Sequence, residues 1–551
     1  VVLEKLFDQT KKIIKNTLTY LTIFSLVFSS ALINTANAVD LDPDNGRTVT
    51  AADRLGDGTN AALQAGDNYT LDEEALTIDA NGGAFSFTNL VITNDNATRV
   101  LTITDSAPGD NNQKNQDATI SGNISFLNDQ ANDSNIVLTT GSLIVQGDVT
   151  TDASGNKVIF SIDENQVLDL SGTVTASILG RADNEGEVKI SGATTYVGIM
   201  GNADNTLSNL NVDDTLTLGA STSVVVRTLD LDGTIVSAVA GGTTNTLTVE
   251  TTSNFAGAAA INTAGNQIYT GVVTLAANST LVATANSTAG NITFGADVTG
   301  AFDLSATATT VTFNSTIGNG TEVDAVVITG NASFAADVKA ESITVSGTTN
   351  MNTAADLIET SLDTGVLTLT GPVTLAEIGG GATTYELKTN NGAITTGTIT
   401  GAANGTAENL TLDAGAGGAI NVGAVTVVTD LLIDDANGAT FASVNLLGNF
   451  TVTDLTDGST LTFTGDSVIA GDLVANQGND AYNIAILGDM TVNDQVTFLN
   501  TGTLQIGNET SDVSTFTGGL VATAPSAITL NGKIITGTTN TMTLGDGDTG
   551  I

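Results

Sequence analysis

Histidine, cysteine and tryptophan are all missing from the 551 residues, and each absence removes a class of chemistry. Without histidine there is no Ser-His-Asp or Cys-His nucleophile, no imidazole base and no histidine-ligated metal. Without cysteine there is no thiolate, disulfide, iron–sulfur cluster or zinc finger. Aromatic residues are 4% of the chain, too few to fill the deep core of a compact enzyme, and the 4 prolines stand isolated, so no Pro-rich linker divides it. Positive charge is also scarce: 15 Lys and Arg against 59 Asp and Glu leave a net charge of −44. Such a surface repels phosphates, which excludes nucleic acid and anionic lipid as direct partners. No Gly-rich loop ends in Gly-Lys-Ser/Thr. These exclusions read as a protein that is not an enzyme and has no organic cofactor.

The amino terminus holds 4 of the 15 basic residues within its first 15 positions. Lys5, Lys11, Lys12 and Lys15 precede an apolar stretch from Leu18 to Ile33, followed by Ala36-Asn37-Ala38. That is the order of an export signal, with cleavage after Ala38 and residues Ala36 and Ala38 as the small-x-small pair. The stretch is short for a membrane span, which needs about 20 apolar residues, so the mature chain is expected to have no transmembrane segment. The first residue is Val1 and the first methionine Met200, which reads as an incomplete amino end or a non-standard start.

The rest is 41% apolar with 60 glycines and is dominated by Thr, Asn, Ala and Val. A Gly-x-apolar-Thr/Ser unit begins at Gly122, Gly147 and Gly172, spaced by 25 residues, and again at Gly371, Gly397, Gly423 and Gly448, spaced by 26, 26 and 25. Further copies at Gly271, Gly290 and Gly488 fall off that beat. Leu143, Val145 and Val149 surround Gly147, and Leu168, Leu170 and Val174 surround Gly172, all at even offsets. In an extended chain they share one face, so the glycine marks a bend or a close backbone approach within a strand. Gly423 breaks the rule, because Ile420 and Val422 lie at odd offsets, and a register shift or a different bend is expected there. Midway through each period stands a Leu-Thr-apolar kernel, at Leu101, Leu216, Leu247, Leu367, Leu410 and Leu461. Asn/Asp/Gly clusters such as Asn202-Ala-Asp204-Asn205 supply the turns.

A period in the twenties with two or three strands per repeat predicts an all-β fold: an elongated parallel β-helix, or β-solenoid, of ~25-residue coils. The alternative, a string of immunoglobulin-like sandwiches, would repeat at ~100 residues. The division read from the chain is a signal peptide over 1–38, an amino-terminal cap and irregular β region over 39–110, and the solenoid over 111–551.

Candidate sites are sparse. Asp40, Asp42 and Asp44 alternate ahead of Asn45-Gly46, as in a calcium loop, but the residues at the turn-glycine and bidentate-glutamate positions are Asn45 and Ala51. They are the only metal candidates, for Ca2+. The pairs Asp213-Asp214 and Asp434-Asp435 suggest the acid and base of a glycan-cleaving solenoid, yet neighbours on a strand point to opposite faces, so neither pair is a dyad.

The signal ending in Ala36-Asn37-Ala38, followed by stretches such as Gly397-Thr-Ile-Thr-Gly-Ala-Ala-Asn-Gly405 and Asn409-Leu-Thr-Leu-Asp-Ala-Gly-Ala-Gly-Gly-Ala-Ile-Asn-Val-Gly423, resembles the passenger region of rickettsial surface-antigen autotransporters of the outer-membrane protein A and B type. The resemblance implies a solenoid displayed at a bacterial cell surface or outer membrane, acting as an adhesin for a host-cell or matrix ligand or as a structural antigen. It carries over no functional residue. The chain departs from that family at its carboxyl end, where no translocator barrel of aromatic-girdled strands precedes Ile551, so it reads as a fragment. Two alternatives accompany the adhesin: a surface-layer protein that self-associates through divalent cations, and, behind it, a glycan-active β-helix enzyme.

Overall fold

A computed structural model describes residues 38–41, 48–50, 68–71, 75–79, 85–87, 89–93, 100–104, 118–127, 134–150, 158–238, 244–285, 289–352, 356–376, 383–402 and 408–547. Among these residues the fold is all-β without a helix, and the strands pair in parallel as a β-solenoid of about 17 turns. Two compact units divide at Ser208/Asn209.

In the amino-terminal unit three ladders run side by side. One stacks Leu90, Ile124, Val149 and Val174; a second Ala118, Leu143, Leu168 and Val188; a third Leu101, Ile136, Phe160, Ile178 and Met200. All of these side chains are buried. The ladders reach back into the stretch read as a cap, since Ala75–Asp79 pairs with Val100–Thr104 and Phe85–Phe87 with Ala118–Ile120. Ala38–Leu41 is itself a strand, paired with Asn68–Leu71. The remainder of the expected signal peptide, including Ala36, lies outside the described residues.

The carboxyl-terminal unit repeats the plan with three strands per coil. In two successive coils they are Thr460–Phe463, Ser467–Ile469 and Leu473–Ala475, then Asn483–Ile486, Met490–Val492 and Val496–Phe498. Each strand alternates inward and outward residues; the inward ones are mostly aliphatic or aromatic, and the outward ones range from Thr462, Thr491 and Thr497 to the apolar Val468, Val474 and Ala485. The kernel leucines Leu216, Leu247, Leu367, Leu410 and Leu461 are all buried. Inside, Tyr269, Phe294, Phe313 and Phe334 stack in register with centroid distances of 5.4, 4.8 and 5.5 Å. The stack runs through coils of unequal length: Tyr269 and Phe294 pair across 25 residues, Phe313 and Phe334 across 21, and Phe334 and Met351 across 17, against 27 between Leu367 and Ile394. The sequence period is therefore an average over coils of unequal length.

The recurrent glycines sit where successive backbones touch. A Cβ on Gly147 would lie 2.3 Å from the carbonyl oxygen of Gly122, and one on Gly371 would lie 2.3 Å from that of Gly347. Gly397 stacks on Gly371 and Gly423 on Gly397. The slip expected at Gly423 is already present at Gly397, where the buried Ile394 lies three residues ahead of the glycine, whereas Leu367 lies four ahead of Gly371. A second shift falls between Thr426 and Val428, around Val427 with φ 58°. After it Gly448 sits over Thr429 and Asp430, so the 25-residue spacing from Gly423 to Gly448 does not mark a stacked pair.

Candidate functional site

The corners are built from side chains that reach from one coil to the next. Asp430 Oδ1 accepts the amide of Asn449 at 2.7 Å, Asn449 Oδ1 that of Asp472 at 2.9 Å, and Asp472 Oδ1 that of Gln495 at 2.9 Å. Asn123 and Asp148 do the same for Asp148 and Thr173 in the amino-terminal unit. Each bond pairs a corner amide that the ladder itself leaves open. Much of the Asp and Asn content is thus structural.

One outward column of the carboxyl-terminal unit is charged along its length. Lys339, Glu359, Lys388 and Asp413 occupy one outward column of alternating sign. Lys339 pairs with Glu359 at 3.4 Å and Lys388 with Asp413 at 2.8 Å, and the hydrogen bond to Asp413 raises the Lys388 pKa. Beyond it Asp413, Asp434, Asp435 and Asp454 crowd together. Burial first, then the charges of Asp413, Asp454 and Asp434, push the Asp435 pKa up from 3.8. Asp434 is exposed and Asp435 half-buried, and both lie in turn structure, as do the exposed Asp213 and Asp214. Among the described residues no three Asp or Glu side chains converge as cation ligands. Of the expected calcium residues, Asp42 and Asp44 lie outside the described residues, and Asp40 is a strand residue whose backbone pairs with Thr70.

These carboxylates give two pH dependences of opposite sign. Asp435 has a folded pKa above its unfolded value, so its favourable contribution is complete below about pH 3.8 and is lost as pH rises through the folded pKa. Asp435→Asn should raise stability at pH 7 by under about 1 kcal/mol and leave it unchanged at pH 3. Asp297 is the reverse. It accepts hydrogen bonds from Ser315 Oγ, Asn319 Nδ2 and Thr316 Oγ1, which hold its pKa below 3.8. Its contribution is present above that value and lost as pH falls through the folded pKa. Asp297→Ala should cost about 1–2 kcal/mol at pH 7, with the difference closing in acid. Urea denaturation at both pH values checks the pair.

The amino-terminal unit contains a cleft of about 390 Å³ lined by Glu164, Asn165, Gln166, Val167, Asn184, Glu187 and Ser208. Its origin is a mismatch of turn lengths at one corner. Val167 and Glu187 are in register, but the turn before Val167 spans 163–166 and the turn before Glu187 spans 181–186. The longer turn is fixed rather than loose. Arg181 Nη1 pairs with Asp163 Oδ2 at 2.8 Å, the Ala182 amide donates to Glu185 Oε2 at 2.8 Å, and the Asn184 amide to the Thr206 carbonyl at 2.9 Å. Gly186, with φ 75°, lies against Ile162, whose Cβ would be 2.4 Å from an added Cβ. Asn165 and Asn184 also take positive φ, 64° and 66°. Ser208 Oγ closes one side by donating to the Gly186 carbonyl at 2.7 Å. The next turn is held by Asn202 Oδ1, which accepts the amides of Asp204 and Asn205 at 2.9 Å, as its Asn/Asp composition predicts. None of the cleft residues stood out in the sequence, and the single available signal was the unequal number of turn residues ahead of two consecutive strands.

Comparison with models of protein families, with curated proteins and with solved structures finds no match.

Proposed function

We propose that this chain is an exported cell-surface β-repeat protein that acts as an adhesin or structural surface antigen. One observation carries the reading: the solenoid's outward positions form straight columns of small polar side chains, a surface made for display rather than for a buried reaction. On one face Thr293, Thr312, Ser333, Asn350, Thr374, Thr400 and Thr426 succeed one another in register, and the Thr400 and Thr426 hydroxyls meet at 3.2 Å. Stacked repeats offer such faces as extended binding surfaces. The signal-like amino terminus and the passenger-like composition support a location outside the cell. No helix among the described residues is long and apolar enough to cross a membrane.

The test has two arms. Immunolabelling of intact and permeabilised source cells should give equal signal if the chain is displayed, and signal only after permeabilisation would end the reading. Sedimentation velocity with and without millimolar calcium, alongside binding to host-cell and matrix surfaces, separates the two kinds of surface role. A monomer that binds such a surface supports the adhesin. Calcium-driven growth into large assemblies with no such binding would favour the surface layer.

A further inference from the structure

We infer that the corner cleft between the turns 163–166 and 181–186 is a saccharide-binding site for neutral or amino sugars. The inference deepens the surface-protein reading and rests on it only for where such a ligand would be met.

The cleft volume of about 390 Å³ falls in the range of small-molecule sites, roughly 300–1,000 Å³. Its lining selects the ligand class. Two carboxylates, Glu164 and Glu187, accept hydrogen bonds and the Asn165 amide both donates and accepts; Gln166 and Asn184 each spend one N–H on the Glu164 carbonyl and Asp183 Oδ2 and keep a second N–H and an amide oxygen, and Ser208 Oγ, which donates to the Gly186 carbonyl, serves as an acceptor. Hydroxyls of a sugar match such a mixed set, because each both donates and accepts. The side chain of Val167, 6% exposed, provides the small apolar floor against which the C–H face of a pyranose rests. An apolar ligand would strip water from six polar side chains without replacing their hydrogen bonds. An anion would meet Glu164 and Glu187, with Asp163, Asp183 and Glu185 close by in the two turns, while the nearby guanidinium of Arg181 is already tied to Asp163. A protonated amino sugar gains from the same field. Preorganisation supports the assignment, since the wall is held by backbone and carboxylate hydrogen bonds and by a glycine with no room for a side chain.

The experiment is saturation-transfer NMR on the purified full chain with three probes of one size: methyl glucoside, glucosamine and glucuronate. Transfer to the first two and at least a tenfold weaker effect with glucuronate is expected. Glu164→Ala with Glu187→Ala should abolish the transfer, and the isosteric Glu164→Gln with Glu187→Gln pair should weaken it and remove the preference for glucosamine. Asp213→Ala, in a turn outside the cleft, should leave it intact. The Gln pair keeps side-chain shape, so a folding defect in the Ala pair does not blunt the test. No transfer to any of the three sugars, transfer that persists in both double variants, or a cleft-dependent response to calcium alone would each overturn the inference. Surface binding that survives in a chain with no sugar transfer sinks this site and leaves the display reading standing. Sugar transfer by a chain that labels only after permeabilisation does the opposite.

Discussion

Replacing Gly271 with alanine is expected to lower the unfolding free energy by about 3 kcal/mol or more, the upper end of overpacking costs. A Cβ at this position would lie 1.2 Å from the Thr251 carbonyl oxygen and 2.1 Å from its carbon. Both are backbone atoms, and the ladders on either side hold them: Val249 pairs with Tyr269 and Thr252 with Val272. A rotamer change cannot relieve such a clash, so two coils must separate. Gly547 is the control, because a Cβ there meets nothing within 4 Å, and its alanine variant should stay within about 0.5 kcal/mol of the parent. Urea midpoints followed by far-ultraviolet circular dichroism decide the matter. Equal midpoints for the two variants would refute the role assigned to stacked glycines.

Truncating Phe313 to alanine should cost about 3–5 kcal/mol. The ring is 1% exposed and sandwiched between Phe294 at 4.8 Å and Phe334 at 5.5 Å, so its removal leaves a void bounded by two rigid planes. Leucine should recover part of the loss. The outward neighbour Thr312→Ala should change stability by less than about 0.5 kcal/mol. A second readout follows from Tyr269, two rings away in the same stack. With no tryptophan in the chain, near-ultraviolet dichroism reports on tyrosine and phenylalanine packing, and it should weaken in Phe313→Ala while the far-ultraviolet signal persists below the midpoint. An unchanged near-ultraviolet spectrum would count against a continuous stack.

The strand pattern was legible because it depends on local rules. The kernel at Leu461-Thr462-Phe463 alternates inward and outward wherever its coil sits, and Gly147 announces a close approach without naming the partner. Coil length was legible only where it stays constant. Between Phe294 and Met351 the coils close in 17 to 21 residues, so the 25-residue beat is lost there, although Gly347 still stacks on Gly330. The cleft was invisible for a related reason. Glu164 and Glu187 come from different coils, and only the pairing of Val167 with Glu187 shows that their turns share a corner. Asp434-Asp435 was legible as an Asn/Asp/Gly turn cluster, and it lies in a turn, but its crowding by Asp413 and Asp454 depends on the coils on either side, which no single stretch of sequence reveals.

Because every ladder partner lies one coil away, the coil is also a unit of heredity. In-frame loss of the 23 residues from Leu461 up to Ile484 would bring Ile484 into the place Leu461 had occupied, restoring all three faces at once with the same inward and outward order. Duplication of that segment would heal in the same manner. Cuts at other spacings would bring an outward threonine into the dry interior. A gene of this kind lengthens and shortens in whole coils, and its length polymorphisms should cluster at multiples of one turn while single-residue insertions and deletions collect at the corners.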